Sequence, residues 1–158
     1  MKAIESIKIN LKGNTLRIDR GDGYVENEIF NFYSPASKEE LNKLPEFIPK
    51  VIIDFLKQHN GADLFVSPKN GGGTHFFSVE EILEHIQEWE CPEFFIPFGT
   101  GLDGLWIAYQ LIPETGGTSV WAGEFIHFDD EFHNLNMDFK TWLEKYIEYN
   151  GDPFWEGE

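Results

Sequence analysis

Cysteine is almost absent: Cys91 is the only one in 158 residues. A single thiol closes no intramolecular disulfide and builds no cysteine-based zinc site. It suits a reducing compartment. Glu90 and Glu93 beside it disfavour the thiolate, which argues against a nucleophilic role. Positive charge is also scarce. Twelve Lys and Arg face 28 Asp and Glu, a formal net charge of −16. A surface that acidic repels phosphate backbones and anionic headgroups, so nucleic acid and membrane are excluded as natural partners. It steers a basic partner inward, although acidity also simply keeps a protein soluble. Long apolar runs are missing too. Leu105 to Ile112 is the longest, far short of a membrane span, and Met1 to Ser6 has no signal-peptide core. The expected location is the cytoplasm.

What the chain does have is aromatic and aliphatic bulk, enough for a core without metal or disulfide staples. Its length fits one domain over residues 1–158. Leu16 and Ile18 alternate with Thr15, Arg17 and Asp19, the period of a half-buried strand. Gly13-Asn14 suggests a tight turn from an earlier strand holding Ile7 and Ile9. Tyr24 to Tyr33 continues the pattern, so residues 1–35 read as N-terminal strands. Helical signals follow. Ser37 with Glu40, and Ser78 with Glu81, form capping boxes. Pro49 opens a helix striped by Val51, Ile52, Phe55 and Leu56, which Asn60-Gly61 closes. Val79, Ile82, Leu83, Ile86 and Trp89 share one helical face, and Pro92 ends it. Asp138 caps a last helix burying Phe139, Trp142, Leu143, Tyr146 and Ile147, closed by Asn150-Gly151. Between the last two lie Phe94 to Ile96, then Leu105 to Ile112, apolar on both faces as a doubly covered strand is. Gly116-Gly117 turns the chain into a returning strand, Thr118 to Phe128. The expected class is α+β, a single mixed or mostly antiparallel sheet with helices packed on it.

Most chemical motifs fail on context. Gly71-Gly72-Gly73 lacks the Lys that a phosphate loop needs after its last glycine, and reads as a flexible surface loop. Gly99, Gly101 and Gly104 match a dinucleotide fingerprint, but a strand rather than a helix follows, so no cofactor is expected. His127, Asp129, Asp130 and His133 offer ligand types without regular metal-site spacing, and no metal is expected. No Gly-x-Ser-x-Gly elbow occurs, so no catalytic residue is assigned. A carboxylate pair serving a small hydrolase remains open on composition alone. His59 lies on an apolar stripe, the position of a packed histidine. Trp106, Trp121, Phe125 and Phe128 are mostly structural by burial preference. Phe154-Trp155 in the acidic tail either pack back or meet a partner.

The ordered set Ile48-Pro49, Phe55-Leu56 and Asn60-Gly61 resembles the opening of the SUKH superfamily, which includes yeast cell-wall assembly regulators. Pro97 to Gly104 is similar to its central glycine-bearing segment, Thr118 to Trp121 to the next strand, and Phe139 to Ile147 to its closing helix. The resemblance covers residues 48–147; the N-terminal portion lies outside it, and Met137-Asp138-Phe139 stands where a Ser-Phe pair is usual. It implies a non-enzymatic binding domain, and in bacterial members an immunity protein that neutralises a cognate toxin. With the acidic charge, that implies a basic toxin domain, such as a nuclease, as protein partner. The alternative is a carbohydrate-binding or cell-wall-linked regulatory module. Charge and loop placement nominate Asp103, Trp121, Glu124, Asp129, Asp130 and Glu131 as the partner-binding rim.

Overall fold

Strands that follow one another in the chain also lie side by side in space. The computed structural model describes residues 2–69, 72–89, 92–101, 105–124 and 132–157. Among them, eight strands form one sheet in chain order: β1 (Thr15–Gly21), β2 (Tyr24–Phe32), β3 (Ala62–Val66), β4 (Thr74–Phe76), β5 (Phe95–Thr100), β6 (Leu105–Ile112), β7 (Gly117–Glu124) and β8 (Phe132–Asn134). Every neighbouring pair is antiparallel. The α+β class holds, with a wholly antiparallel sheet. Five α-helices accompany it: α1 (Lys2–Asn10), α2 (Lys38–Asn42), α3 (Lys50–Gln58), α4 (Val79–Glu88) and α5 (Phe139–Glu148). No helix among the described residues is long and apolar enough to cross a membrane.

The caps behave as their chemistry requires. Ser37 and Ser78 each accept from the backbone N–H three residues on, and Glu40 and Glu81 return the bond. Asp138 accepts from Thr141 N–H at 2.8 Å. Each satisfies donors that a helix start leaves open. Pro49 stands just outside α3 as its N-cap, and His59, extended, ends that helix.

The core is aromatic. Phe76 of β4 lies with its ring centre 5.9 Å from Phe98 of β5, and 6.2 and 6.1 Å from Phe139 and Trp142 of α5. Phe98 is 5.2 Å from Phe139, edge to face. Such pairs contribute about 0.5–1.5 kcal/mol beyond the area they bury. At the centre of β6, Ile107 and Tyr109 join this core, while Ala108 is buried on the other face with Phe95 and Phe132. The double coverage read from Leu105 to Ile112 is thus real at its middle and looser at its ends. Phe154 and Trp155 pack back, Trp155 lying 6.2 Å from Trp142.

The amino end corrects the sequence reading. Residues 2–10 are a helix, not a strand. Ile4 and Ile7 are buried three residues apart while Ile9 is 81% exposed; the apolar period is helical, and the Ile7/Ile9 alternation was incidental. The Gly13-Asn14 turn exists, but it folds Lys12 against Thr15 rather than joining two strands. β3, β4 and β8 were not foreseen. They are three to five residues long, too short to display a period. The returning strand β7 is described as far as Glu124; residues 125–128 lie outside the described ones.

Gly73 is not there for flexibility. It enters β4 at φ +91°, and a Cβ on it would meet the carbonyl oxygens of Leu64 and Phe65 at 2.5 and 2.7 Å. Gly73→Ala is expected to cost about 2–4 kcal/mol, since neither the backbone angle nor the contact can relax cheaply. A chemical-denaturation curve measures it. Gly23→Ala provides a comparison with equal φ penalty but open space at its Cβ.

Candidate binding surface

The proposed rim is only partly within the described residues. Trp121 and Glu124 are on β7; Asp103, Asp129, Asp130 and Glu131 lie outside what is described, as does Cys91. Cross-strand register places Glu124 opposite Leu105 and Gly123 opposite Phe132. Trp121 is half-buried. Its Nε1–H donates to Gln110 Oε1 at 2.9 Å, and its ring lies 5.2 Å from Phe95 and stacks 6.3 Å from Phe132. Glu124 is exposed. Alternation along β7 sends Trp121 and Glu124 to opposite faces, so the two do not form one flat patch.

Of the ligand-type cluster, His133 is the described member, exposed on β8. Among the described residues, no three His, Cys, Asp or Glu side chains are grouped to hold a metal ion. His59 is packed between Phe32 and Phe55, with ring centres 5.1 and 6.2 Å away. Lys8 Nζ donates to its Nε2, so Nδ1–H donates to the Tyr33 carbonyl. Burial lowers its pKa, which keeps it neutral.

The sequence reading missed the most organised polar cluster. In the β3–β4 pair, Ala62 faces Phe76 and Leu64 faces Thr74, all four buried. Asp63 and His75, directly opposite one another, therefore sit on the other face. His75 Nδ1 is 2.7 Å from Asp63 Oδ1, and its Nε2 is 2.9 Å from Glu81 Oε2 at the start of α4. Tyr33 and Asn31 donate to the second Asp63 oxygen. Glu81 serves twice, as capping-box acceptor and as histidine partner. No motif spacing could signal this: positions 33, 63, 75 and 81 meet only through the meander.

The electrostatics follow. The Asp63 bond, with help from Glu81, outweighs burial and raises the His75 pKa to about 8. Burial pushes Asp63 and Glu81 upward, but hydrogen bonds from His75 and, for Glu81, the Ser78 backbone hold both below the usual range. Its bond to Asp63 raises Tyr33 to about 12. Both imidazole nitrogens face carboxylates and the tyrosine stays protonated, so the cluster offers no free base. It is a clamp joining β2, β3, β4 and α4.

A groove of about 380 Å³ between α2 and α4 is lined by Glu40, Glu80, Glu84, Lys43, Val79 and Leu83, among others. With the sheet, the capped helices and the charge distribution in view, comparison with known proteins decides the family. The SMI1/KNR4 family (SUKH-1) profile matches residues 35–145. The chain belongs to this SUKH family. Two Bacillus subtilis (strain 168) proteins are similar to this SUKH protein. One, called uncharacterized protein YnaB, is 27% identical over 141 residues, covering 84% of this chain and 90% of its own. The other, uncharacterized protein YobM, is 29% identical over 152 residues, covering 83% and 78%.

The clamp predicts a pH dependence. The folded His75 pKa lies above the unfolded value, so its stabilisation is full below about pH 6.5 and is lost as pH rises through 8. Its side chain is 34% exposed, so after allowance for solvent screening the loss is on the order of 1 kcal/mol. Thermal melts followed by circular dichroism from pH 6 to 9 check this (roughly the window bracketing both values). His75→Gln is expected to flatten that slope.

Proposed function

We propose that this SUKH protein is a non-enzymatic, cytoplasmic immunity protein that neutralises a cognate toxin by binding it. The observation that carries the reading is the net charge of −16 on a chain of this family. A cationic domain, such as a nuclease whose cleft attracts nucleic acid, is drawn to such a surface and is blocked once docked. The clamp around His75 supports a binding role, because its titratable groups are satisfied by one another rather than directed at a substrate. The proposed docking surface uses Trp121 as an aromatic anchor, with Glu124 and the nominated Asp103, Asp129, Asp130 and Glu131 supplying charge. Because Trp121 and Glu124 face opposite ways, the partner grips the end of the sheet rather than lying on one face.

The test is co-expression with the toxin domain encoded beside this gene, paired with calorimetry on the purified pair. Rescue of growth and saturable binding are expected. Glu124→Lys should weaken binding by about tenfold, the effect of inverting one close interfacial charge, and leave the melting temperature unchanged. Absence of any interaction with the neighbouring toxin, or binding on a glycan array instead, contradicts the proposal.

A further inference from the structure

We infer that β1 is a self-association edge, on which a second copy of this chain pairs antiparallel through Arg17 and Asp19. β1 is first in the sheet order, and among the described residues it forms its ladder with β2 alone. The direction of its backbone groups can be read from the bonds at its start. The Asn14 carbonyl accepts from Phe30 N–H, on the β2 side. Thr15 exchanges both its backbone bonds with Lys12, on the opposite side. Alternation then turns Leu16 and Ile18 toward β2, and the N–H and C=O of Arg17 and Asp19 outward. An unpaired row of this kind is a template for another strand.

The edge is self-complementary. Setting two copies antiparallel about Ile18 brings Arg17 of each opposite Asp19 of the other, the two residues whose backbone groups face outward. The parity is correct for a hydrogen-bonded pair, so the two-fold arrangement yields four backbone bonds and two cross-strand ion pairs. Arg17 and Asp19 are both exposed, while Ile18 between them is buried in its own core. Opposite charges directly across a ladder are favourable and like charges are not.

Two further observations favour a second copy as the occupant. Residues 1–20 hold five of the chain's twelve basic residues, including both arginines, but only two of its 28 acids. The −16 overall charge therefore does not reside on this segment, and the close opposite charges across the two-fold, Arg17 to Asp19, set the local balance. Four of the five exposed large apolar side chains among the described residues, Ile9, Tyr24, Val25 and Tyr33, lie within residues 1–34, the amino-terminal part of the chain. It precedes the segment matched to the family, which begins at residue 35.

Sedimentation velocity over a concentration series tests the inference independently of any toxin. The expected result is reversible association to twice the 18.3 kDa chain mass. Arg17→Asp and Asp19→Arg should each weaken it by about tenfold or more, because each sets like charges opposite one another twice. The double variant inverts both pairs and should regain wild-type association. A monomer at every concentration, single variants that associate as wild type does, or a double variant no tighter than the singles would overturn it. Asp19 also accepts from Gly21 N–H at 2.9 Å. Should Asp19→Arg fail to fold, Arg17→Pro decides instead. It removes an outward N–H together with the guanidinium of both ion pairs and must abolish pairing; a dimer that survives it refutes the inference.

Discussion

The packing of Phe76 and Phe98 against Phe139 and Trp142 is the contact on which the other features rest. A meander of short strands has little stability until one face is covered. Here α5 returns from the end of the chain to supply that cover. Tyr146, one turn beyond Trp142, bonds Thr74 of β4 and stacks on Trp142. Gly151 then brings the tail past Phe65 so closely that a Cβ on it would stand 2.6 Å from the ring. One sealed face follows from these contacts, and the charged and polar residues are left to the rim and the opposite face.

The exception is instructive. Glu28 points into the sealed side, with 1% of its surface exposed. A lone carboxylate there would be expensive, and it is matched by the bidentate guanidinium of Arg20, which also reaches Asp152 at 3.2 Å. Glu26 nearby accepts from Ser67. Removing one partner of such a pair strands the other, so the β1–β2 hairpin and the tail are tied together. One arginine thus secures the hairpin inwardly while the other, Arg17, faces out. The clamp at His75 does similar work across β3, β4 and α4, where the capping box of Ser78 and Glu81 doubles as an ionic anchor.

Much of the fold was legible because its signals are local. Capping boxes at Ser37 and Ser78 and the cap at Asp138 are decided within four residues, and the stripes of α3, α4 and α5 repeat often enough to declare a period. β6 was legible from the apolar stretch Leu105 to Ile112, and β7 as its return after the turn at Gly116-Gly117. The helix at residues 2–10 was misread because Ile7 and Ile9 mimic alternation within a segment of few apolar residues. β4 and β8, three residues each, carry no period. The His75 cluster was invisible for another reason: its members are separated by up to 48 positions and converge only once β2, β3 and β4 are in register. Of the nominated rim, charge identified acids but not facing, which β7 assigns differently for Trp121 and Glu124.

In the function proposed above, an electronegative exterior rather than a reaction is what this protein offers a partner. Stopped-flow association with the cationic toxin domain at increasing ionic strength tests it most directly. A fast rate at low salt is expected, falling steeply as the screening length shrinks toward about 8 Å near physiological ionic strength. An association rate indifferent to salt would contradict it.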